Sequence, residues 1–442
     1  MLKVAKFGGS SMADAGQYQK VRDIIARDPA RKIVVVSAAG KRFSGDHKLT
    51  DLLYLCHAHL QYGVDCGGVF DMIRGRYLEI RDALSLKLDL ESDFAALREK
   101  MDRGISQDEL VSRGEYFSAK LMAAFLGYEF IDSADWLRFN LDGSIDQEAS
   151  YPLLRESAAD KCAVIPGFYG TMPDGQIRTL TRGGSDITGA LAAAALDADV
   201  YENWTDVSGI LMADPRIVPE AQTIRRITYS ELRELSYVGA QVLHEQTIFP
   251  VREKNIPLNI RNTNDPEHPG TLIMERFDDD DRDETFITGI AGKKDHTVIT
   301  VTRSGMSSQV GEFRRILGVF EKHRVSVAYA LTGIDCFSVV IEEKLLSPRR
   351  YAILAELQTD MHPDAINVSD GIAVVAVVGR KMAFRTGSSG KIFAKLGEHG
   401  INVRMISQGP EELNIIVGVK NEDYEKAIAV LYRSFVKQEV KS

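Results

Sequence analysis

Cysteine is scarce in this sequence, with 4 in 442 residues. Cys56, Cys66, Cys162 and Cys336 are far apart or lack the spacing of metal ligands. Neither a disulfide framework nor a zinc site is therefore expected, and a reducing cytoplasm fits this composition.

Positive charge is also in deficit, because 54 Lys and Arg stand against 63 Asp and Glu, which gives a net charge of −9. Nucleic-acid binding needs clustered basic side chains to contact phosphates, so no nucleic-acid partner is expected. No apolar stretch approaches the length of a membrane span, and the first residues lack the apolar run of a signal peptide. We therefore expect a cytoplasmic protein without a membrane partner.

Short β-branched runs alternate with segments of helical periodicity. Residues 33–37 and 163–165 are typical of buried parallel strands, and residues 18–27 and 108–127 of helices. The alanine content of residues 189–196 predicts a buried helix. This alternation favours an α/β domain with a mostly parallel sheet, and a chain of 442 residues predicts two or three domains.

The pattern changes after residue 277, where a block of acidic residues is typical of a solvated linker. An internal repeat follows. Strands are predicted at 298–301 and 372–378, and each is followed by an amphipathic helix, within 310–327 and 389–403. Two copies of strand-helix-strand indicate a pair of small α+β modules.

Two Gly-Gly turns could hold phosphate. The sequence KFGGSS at 6–11 follows an apolar strand, and TRGGSD at 181–186 precedes the alanine-rich helix. Glycines let the backbone approach an anion, and a helix N-terminus adds free N–H groups. One such turn alone is more often an ordinary tight turn, but two of them with Lys, Arg and Asp indicate two halves of a polyanion site.

Four further motifs follow one another along the chain: VSRGE at 111–115, WTDVSGI at 204–210, ADPR at 213–216 and GAQVLH at 239–244. With the two glycine turns, they resemble the amino acid kinase family, and within it the aspartate kinases. The C-terminal repeat resembles the paired ACT regulatory modules of the same enzymes.

The resemblance implies a fold, a domain order and an activity. Residues 1–277 would form an α/β catalytic domain with a mostly parallel sheet and helices on both faces. Residues 278–294 would be an acidic linker, and 295–368 and 369–442 two ferredoxin-like ACT modules. The activity would be ATP- and Mg²⁺-dependent phosphorylation of the side chain of L-aspartate to 4-phospho-L-aspartate, the first step towards lysine, threonine and methionine.

The chemistry agrees with this resemblance. A carboxylate with a pKa of about 4 is already ionised and needs no general base, which explains why the motifs offer charge-neutralising groups and no Ser/His/Asp array. Lys6 and the backbone N–H groups of Gly8, Gly9 and Gly184 could hold the two anions together. By resemblance, the catalytic pair is Lys6 and Asp186. The implied aspartate-binding residues are Ser37, Thr50, Glu115, Phe168, Arg182 and Ser185. The implied nucleotide-binding residues are Lys6, Gly8, Gly9, Ser10, Gly184, Thr205, Asp206 and Arg216.

Two positions depart from the pattern of lysine-sensitive relatives. Gln241 stands where many members have Lys, and Leu211 where a Tyr often packs near the adenine. The nucleotide contacts of the family are therefore not carried over to these two positions.

The resemblance also implies an effector site in the first repeat, at the turn from a strand into a helix. A free backbone N–H group and the helix dipole favour a carboxylate there. The implied residues are Met306, Ser308, Gly311, Glu312, Phe313 and Asp335. Lysine is the expected effector. Threonine is the alternative, because Ala328 stands where an acidic residue often contacts the lysine ammonium, and threonine would not need that acid. Paired ACT modules imply a homodimer or a dimer of dimers.

Three alternatives are less well supported by the sequence. Acetylglutamate and uridylate kinases share the glycine turns but resemble only the first domain. An amino-acid sensor without catalysis would not need Lys6 or Asp186. A fused homoserine dehydrogenase would need residues beyond the second repeat, after which this sequence ends.

Overall fold

The computed structural model describes residues 1–180, 183–240, 245–277 and 287–436. The chain forms two compact units. The first contains Met1–Ile210, Thr223–Tyr229 and Val242–Asp278, and the second contains Leu211–Gln222, Ser230–Gln241 and Asp279–Ser442. The division into four consecutive segments at 277, 294 and 368 stays a prediction. No helix within the described ranges is both long and apolar enough to cross a membrane.

The strands up to residue 274 are β1 (Lys3–Phe7), β2 (Arg31–Val36), β3 (Glu129–Phe130), β4 (Arg138–Phe139), β5 (Ile145–Asp146), β6 (Ala163–Pro166), β7 (Tyr169–Thr171), β8 (Ile177–Thr179), β9 (Val200–Thr205), β10 (Arg226–Thr228), β11 (Leu258–Asn262) and β12 (Thr271–Met274). The helices over the same part are α1 (Ala15–Ala26), α2 (Leu49–Gln61), α3 (Gly67–Ala83), α4 (Glu91–Arg103), α5 (Gln107–Leu126), α6 (Ser133–Trp136), α7 (Gln147–Ala158), α8 (Gly184–Ala195), α9 (Tyr229–Tyr237) and α10 (Glu245–Glu253).

An eight-stranded sheet dominates the first unit, in the order β10-β12-β11-β9-β1-β2-β6-β3. Its strands pair in parallel except for β11 with β12, which confirms the predicted α/β class. The C-terminal ends of β1, β2 and β9 lie side by side, since Phe7 pairs with Val36 and with Trp204, the residue before the end of β9. The loops that follow these strands therefore meet at one edge of the sheet.

The alanine-rich helix α8 packs tightly on this sheet. Its residues from Ala190 to Ala195 are almost completely buried, as predicted. A Cβ at Gly189 would lie 2.5 Å from the hydroxyl oxygen of Tyr201 on β9, so only glycine permits this approach. The close packing fixes the first turn of α8 against the ends of the central strands.

The second unit contains the strands β13 (Gly289–Thr302), β14 (Tyr329–Thr332), β15 (Cys336–Glu342), β16 (Ala365–Val378), β17 (Met405–Ser407) and β18 (Asn414–Lys420). Its helices after residue 286 are α11 (Glu312–Lys322), α12 (Glu343–Leu346), α13 (Arg350–Met361), α14 (Ser388–Glu398) and α15 (Tyr424–Phe435).

These strands form one antiparallel sheet in the order β14-β15-β13-β16-β18-β17, which confirms the two ferredoxin-like modules. The modules share the long strands β13 and β16, which pair along both of their halves. Residues 289–294 of the predicted linker form the first half of β13 instead, and residues 289–293 pair with β16. Ile290 and Ala291 are buried there. Residues 278–286 of the predicted linker lie outside the described residues.

Candidate active site

The loops after β1 and β2 contact each other through the backbone of two glycines. The N–H of Gly40 donates to the carbonyl oxygen of Gly9 at 2.8 Å, and a Cβ at Gly40 would lie 2.6 Å from that residue's backbone. The N–H of Ser37, the first residue after β2, donates to the carbonyl of Phe7 at 3.1 Å. The turn that contains Gly8, Gly9 and Ser10 is thus held at the carboxyl edge of the sheet.

Gly8 corrects one sequence-based expectation. Its N–H already donates to the carbonyl oxygen of Trp204 at 3.0 Å and is not available to a phosphate. A Cβ at Gly8 would lie 3.6 Å from Nζ of Lys6, which is an ordinary van der Waals distance.

An ion pair lies at the centre of this edge. Nζ of Lys6 is 2.5 Å from Oδ1 of Asp186, and the Lys6 side chain is only 8% exposed. Asn203 on β9 joins them, because its amide donates to Oδ1 of Asp186 at 3.0 Å and its oxygen accepts from Lys6 at 3.4 Å. The structure therefore brings together the two predicted catalytic residues, which are 180 positions apart in the sequence.

Asn203 was not among the predicted site residues. It is almost fully buried, at 4% exposure, in the middle of a strand. A buried amide is found where it has hydrogen-bond partners. The one signal in the sequence is a polar residue inside an otherwise buried strand, two positions before Thr205.

The first turn of α8 is packed against Phe168. That residue has a positive φ of 82°, which is rare for an aromatic residue and costs on the order of 1–3 kcal/mol. Its N–H donates to Oγ1 of Thr188 at 3.0 Å, which holds the strained backbone in place. A Cβ at Gly184 would lie 2.5 Å from the Phe168 ring, and one at Gly167 would lie 2.7 Å from Oγ of Ser185.

Glu115 on α5 is buried without a full set of partners. It is 5% exposed, and its Oε2 has no hydrogen-bond partner among the residues that the structure describes. Burial raises the pKa of Glu115 to about 8, although the backbone at Ala38 and the charge of Lys6 both favour the ionised form. The carboxyl group is therefore mostly protonated at neutral pH, and a bound cation would lower its pKa.

Three other predicted site residues have no hydrogen bond or ion pair with Lys6 or Asp186 among the described contacts. Thr205 ends β9 and donates to the exposed carboxylate of Asp206 at 3.2 Å. Thr50 is half-buried in the first turn of α2. Arg216 belongs to the second unit, where it pairs with Asp214 at 2.6 Å.

Two of the positions named from the sequence cannot be placed. Arg182 and Gln241 lie outside the described residues. Leu211 belongs to the second unit. Within the described ranges, no group of three or more His, Cys, Asp or Glu side chains could hold a metal ion by itself.

Known proteins match both units. The profile of the amino acid kinase family matches residues 1–262, and an ACT domain profile matches residues 375–435. Aspartokinase 3 of Bacillus subtilis is 33% identical, with 98% of each chain covered. This chain belongs to the aspartokinases, within the amino acid kinase family.

Solved aspartokinase structures have the same fold. The crystal structure of Clostridium acetobutylicum aspartate kinase is 45% identical, with a TM-score of 0.89, and the match covers 98% of this chain and 99% of that one. Escherichia coli aspartokinase III in complex with aspartate and ADP is 27% identical, with a TM-score of 0.71 and the same coverage. The E. coli enzyme in complex with lysine and aspartate is 28% identical, again with a TM-score of 0.71 and the same coverage.

The raised pKa of Glu115 predicts a pH-dependent stability gain in the Glu115→Gln variant. Between pH 5 and pH 8 the unfolded chain releases this proton while the folded chain keeps it, so the wild type loses stability as the pH rises. The variant keeps a neutral side chain of the same shape. Its melting temperature should exceed that of the wild type by a margin that grows from pH 5 to pH 8.

Thermal unfolding at several pH values measures this margin. Glu129→Gln, at an exposed site on β3, controls for the loss of one carboxylate. A margin for Glu115→Gln that is the same at every pH would contradict a buried, protonated Glu115.

Proposed function

We propose that this aspartokinase family member transfers the γ-phosphoryl group of ATP to the side-chain carboxylate of L-aspartate, giving 4-phospho-L-aspartate for lysine, threonine and methionine synthesis. The observation that carries the proposal is the Lys6–Asp186 pair, 2.5 Å apart at the carboxyl edge of the parallel sheet. The complex of the E. coli relative with aspartate and ADP supports the choice of substrates.

The reaction needs charge neutralisation and positioning more than proton transfer. The aspartate carboxylate is ionised at neutral pH, so it attacks phosphorus without a general base. Lys6 offers a positive charge in a nearly buried place, where it stabilises the negative charge of the transferring group more strongly than in water. Asp186 and Asn203 keep Nζ of Lys6 in position, so little reorganisation is needed during the reaction.

Substrate aspartate would supply the cation that Glu115 lacks. Its α-ammonium would pair with the Glu115 carboxylate, which then releases its proton. In our proposal Arg182 grips the α-carboxylate, because a planar guanidinium suits bidentate pairing. The residues proposed to line the rest of this pocket are Ser37, Thr50, Phe168 and Ser185.

The nucleotide would lie on the glycine turns. We assign its contacts to Lys6, Gly9, Ser10, Gly184, Thr205, Asp206 and Arg216, and leave out Gly8 because its N–H donates to Trp204. Mg²⁺ fits the donor set, since it is commonly held by one or two carboxylates plus substrate phosphates, and Asp186 and Asp206 are the carboxylates beside the end of β9. When bound, the ion would neutralise charge on the phosphates.

The first prediction here concerns substrate choice. Purified protein with Mg²⁺ and ATP should produce an acyl phosphate from aspartate, because a carboxylate nucleophile gives a mixed anhydride. Hydroxylamine traps this product as a coloured hydroxamate. Glutamate, acetylglutamate and UMP serve as comparison substrates, and a signal with acetylglutamate but none with aspartate would overturn the assignment.

The second prediction separates catalysis from binding. Lys6→Ala and Asp186→Asn should each lower kcat by roughly 10²- to 10³-fold, the usual effect of losing one transition-state donor, with a smaller change in KM for aspartate. Lys20→Ala is the control, because Lys20 is an exposed lysine that bonds only to Asn264 among the described contacts. Near-normal kcat in Lys6→Ala would place the phosphate site elsewhere.

We further propose that the turn before α11 binds an effector amino acid, with L-lysine as the effector and threonine as the alternative. The complex of the E. coli relative with lysine and aspartate supports lysine. Gly305 and Gly311 both have positive φ, at 77° and 89°, and Oδ1 of Asp335 accepts the N–H of Gly305 at 2.9 Å. The exposed Asp335 carboxylate thus holds the turn and offers negative charge beside it.

The other proposed effector residues differ in accessibility. Glu312 is buried and pairs with Arg303 at 2.8 Å and Arg315 at 3.1 Å, so its charge is already used within the module. Phe313 stacks on Phe337. Met306 is buried, and Ser308 donates to the carbonyl of Gly305 at 2.8 Å. We propose that these residues shape the turn, and that two chains associate through their ACT modules as a homodimer or a dimer of dimers.

A third prediction tests Asp335 with two substitutions. Asp335→Asn keeps an oxygen that can accept the Gly305 N–H but removes the charge, whereas Asp335→Ala removes both. If the carboxylate pairs with the lysine ammonium, each variant should raise the half-inhibitory lysine concentration by about tenfold, as expected for one charged hydrogen bond, without loss of basal activity. Asp360→Asn on α13 is an exposed control.

The measurement is the inhibition of the wild type and of each variant as a function of lysine and of threonine concentration. Unchanged lysine sensitivity in Asp335→Asn would show that Asp335 only holds the turn. Inhibition by threonine and none by lysine would overturn the choice of effector.

A further inference from the structure

A cavity of about 120 Å³ lies inside the second unit. Its wall combines the C-terminal end of α9, the first half of β13, the start of β14 and the end of β15. The effector turn lies elsewhere in the module, because Asp335 and Gly305 are at the opposite ends of β14 and β13. None of the roles proposed above uses this cavity.

An irregularity in β13 shapes the cavity wall. Lys293 and His296 are three positions apart, so a regular strand would point them to opposite faces. The pairing register of β13 with β16 shifts between these two residues, and Asp295 has a positive φ of 62°. Such a bulge re-aims side chains, and here both residues line the cavity.

Two polar groups in this wall lack hydrogen-bond partners among the described residues. His296 is 4% exposed, and its Nδ1 has no hydrogen-bond partner among the described residues. The buried hydroxyl of Tyr329 also has none within that part of the chain. A buried polar group without a hydrogen bond destabilises the fold, and its presence indicates a missing partner.

The charges beside these groups are of both signs. Nζ of Lys293 lies 2.6 Å from Glu342, which also pairs with Lys344 at 3.0 Å. Burial lowers the pKa of His296, although the charge of Glu342 opposes this shift, so the imidazole is neutral and one ring nitrogen can accept a hydrogen bond. The cavity therefore offers cationic, anionic, donor and acceptor groups within one small space.

We propose that this cavity is a second binding site, distinct from the effector turn, for a small zwitterionic α-amino acid. The ligand carboxylate accepts from the Tyr329 hydroxyl and from Lys293. Its ammonium donates to Nδ1 of His296 and pairs with Glu342. The volume of about 120 Å³ is well above the roughly 10–15 Å³ that a cavity needs to hold one water, and it suits an amino acid with a short side chain against Leu345.

The site also contacts a helix outside the repeat. Tyr237, the last residue of α9, packs its ring at a right angle on Tyr329, with centroids 5.9 Å apart. Its hydroxyl donates to the carbonyl of Ala328 at 3.1 Å. A ligand bound to Tyr329 would thus also fix the end of α9.

Calorimetric titration of the full chain, without ATP, tests the proposal. The probes are glycine, alanine, serine, threonine, valine and lysine. At least one amino acid with a short side chain should bind, and both Tyr329→Phe and Lys293→Met should weaken that binding at least tenfold. Tyr329→Phe removes a single oxygen atom, and Lys293 is half-exposed, so both variants should fold.

Two controls separate this site from others. Tyr351→Phe alters a tyrosine that is 85% exposed on α13, and Asp335→Asn alters the effector turn. Neither should affect the binding. The proposal is overturned if no probe binds, or if every binding event survives both cavity variants. Since binding is measured without catalysis, a failed kinase assay would leave this result unaffected.

Discussion

The ion pair between Lys6 and Asp186 is the interaction on which the proposed chemistry depends. A lysine with 8% of its side chain exposed is costly to bury unless an opposite charge lies close by. Asp186 provides that charge, and it does so only because α8 packs closely enough on the sheet for its first turn to reach β1. The small residues of α8, Gly189 among them, are therefore as necessary to the site as the charged pair.

A second ion pair, between two other strands of the same sheet, shows the contrast. Arg31 on β2 and Glu202 on β9 pair at 2.7 Å, and the indole N–H of Trp204 also donates to Glu202. Both side chains are at most 6% exposed and all their charge is used within the protein. Asp186 is more open, at 20% exposure, and lies beside glycine turns where a substrate can approach. Exposure and neighbouring backbone, more than the ion pair itself, distinguish a reactive site from a structural one.

Local patterns were enough to predict the turns, the buried strands and the alanine-rich helix, since these depend on nearby residues. They could not predict that the Gly8 N–H is occupied by Trp204, because that bond depends on the pairing of β1 with β9, almost 200 residues apart. Asn203 was missed for the same reason. Residues 289–293 of the predicted linker were not recognised as a strand because their partners on β16 come more than 80 residues later. The raised pKa of Glu115 likewise follows from three-dimensional burial and not from its motif.

The most direct test of the proposed reaction measures the transfer of one oxygen atom from the aspartate side chain to phosphate. The protein is incubated with ATP and with aspartate that carries oxygen-18 in its side-chain carboxylate, and hydroxylamine then cleaves the acyl phosphate at its carbonyl carbon. Mass spectrometry of the released phosphate shows where the new bond formed. Attack by the aspartate carboxylate on the γ-phosphorus predicts phosphate with one heavy oxygen. Release of ADP with only unlabelled phosphate would mean that water attacked instead, and would contradict the proposed reaction.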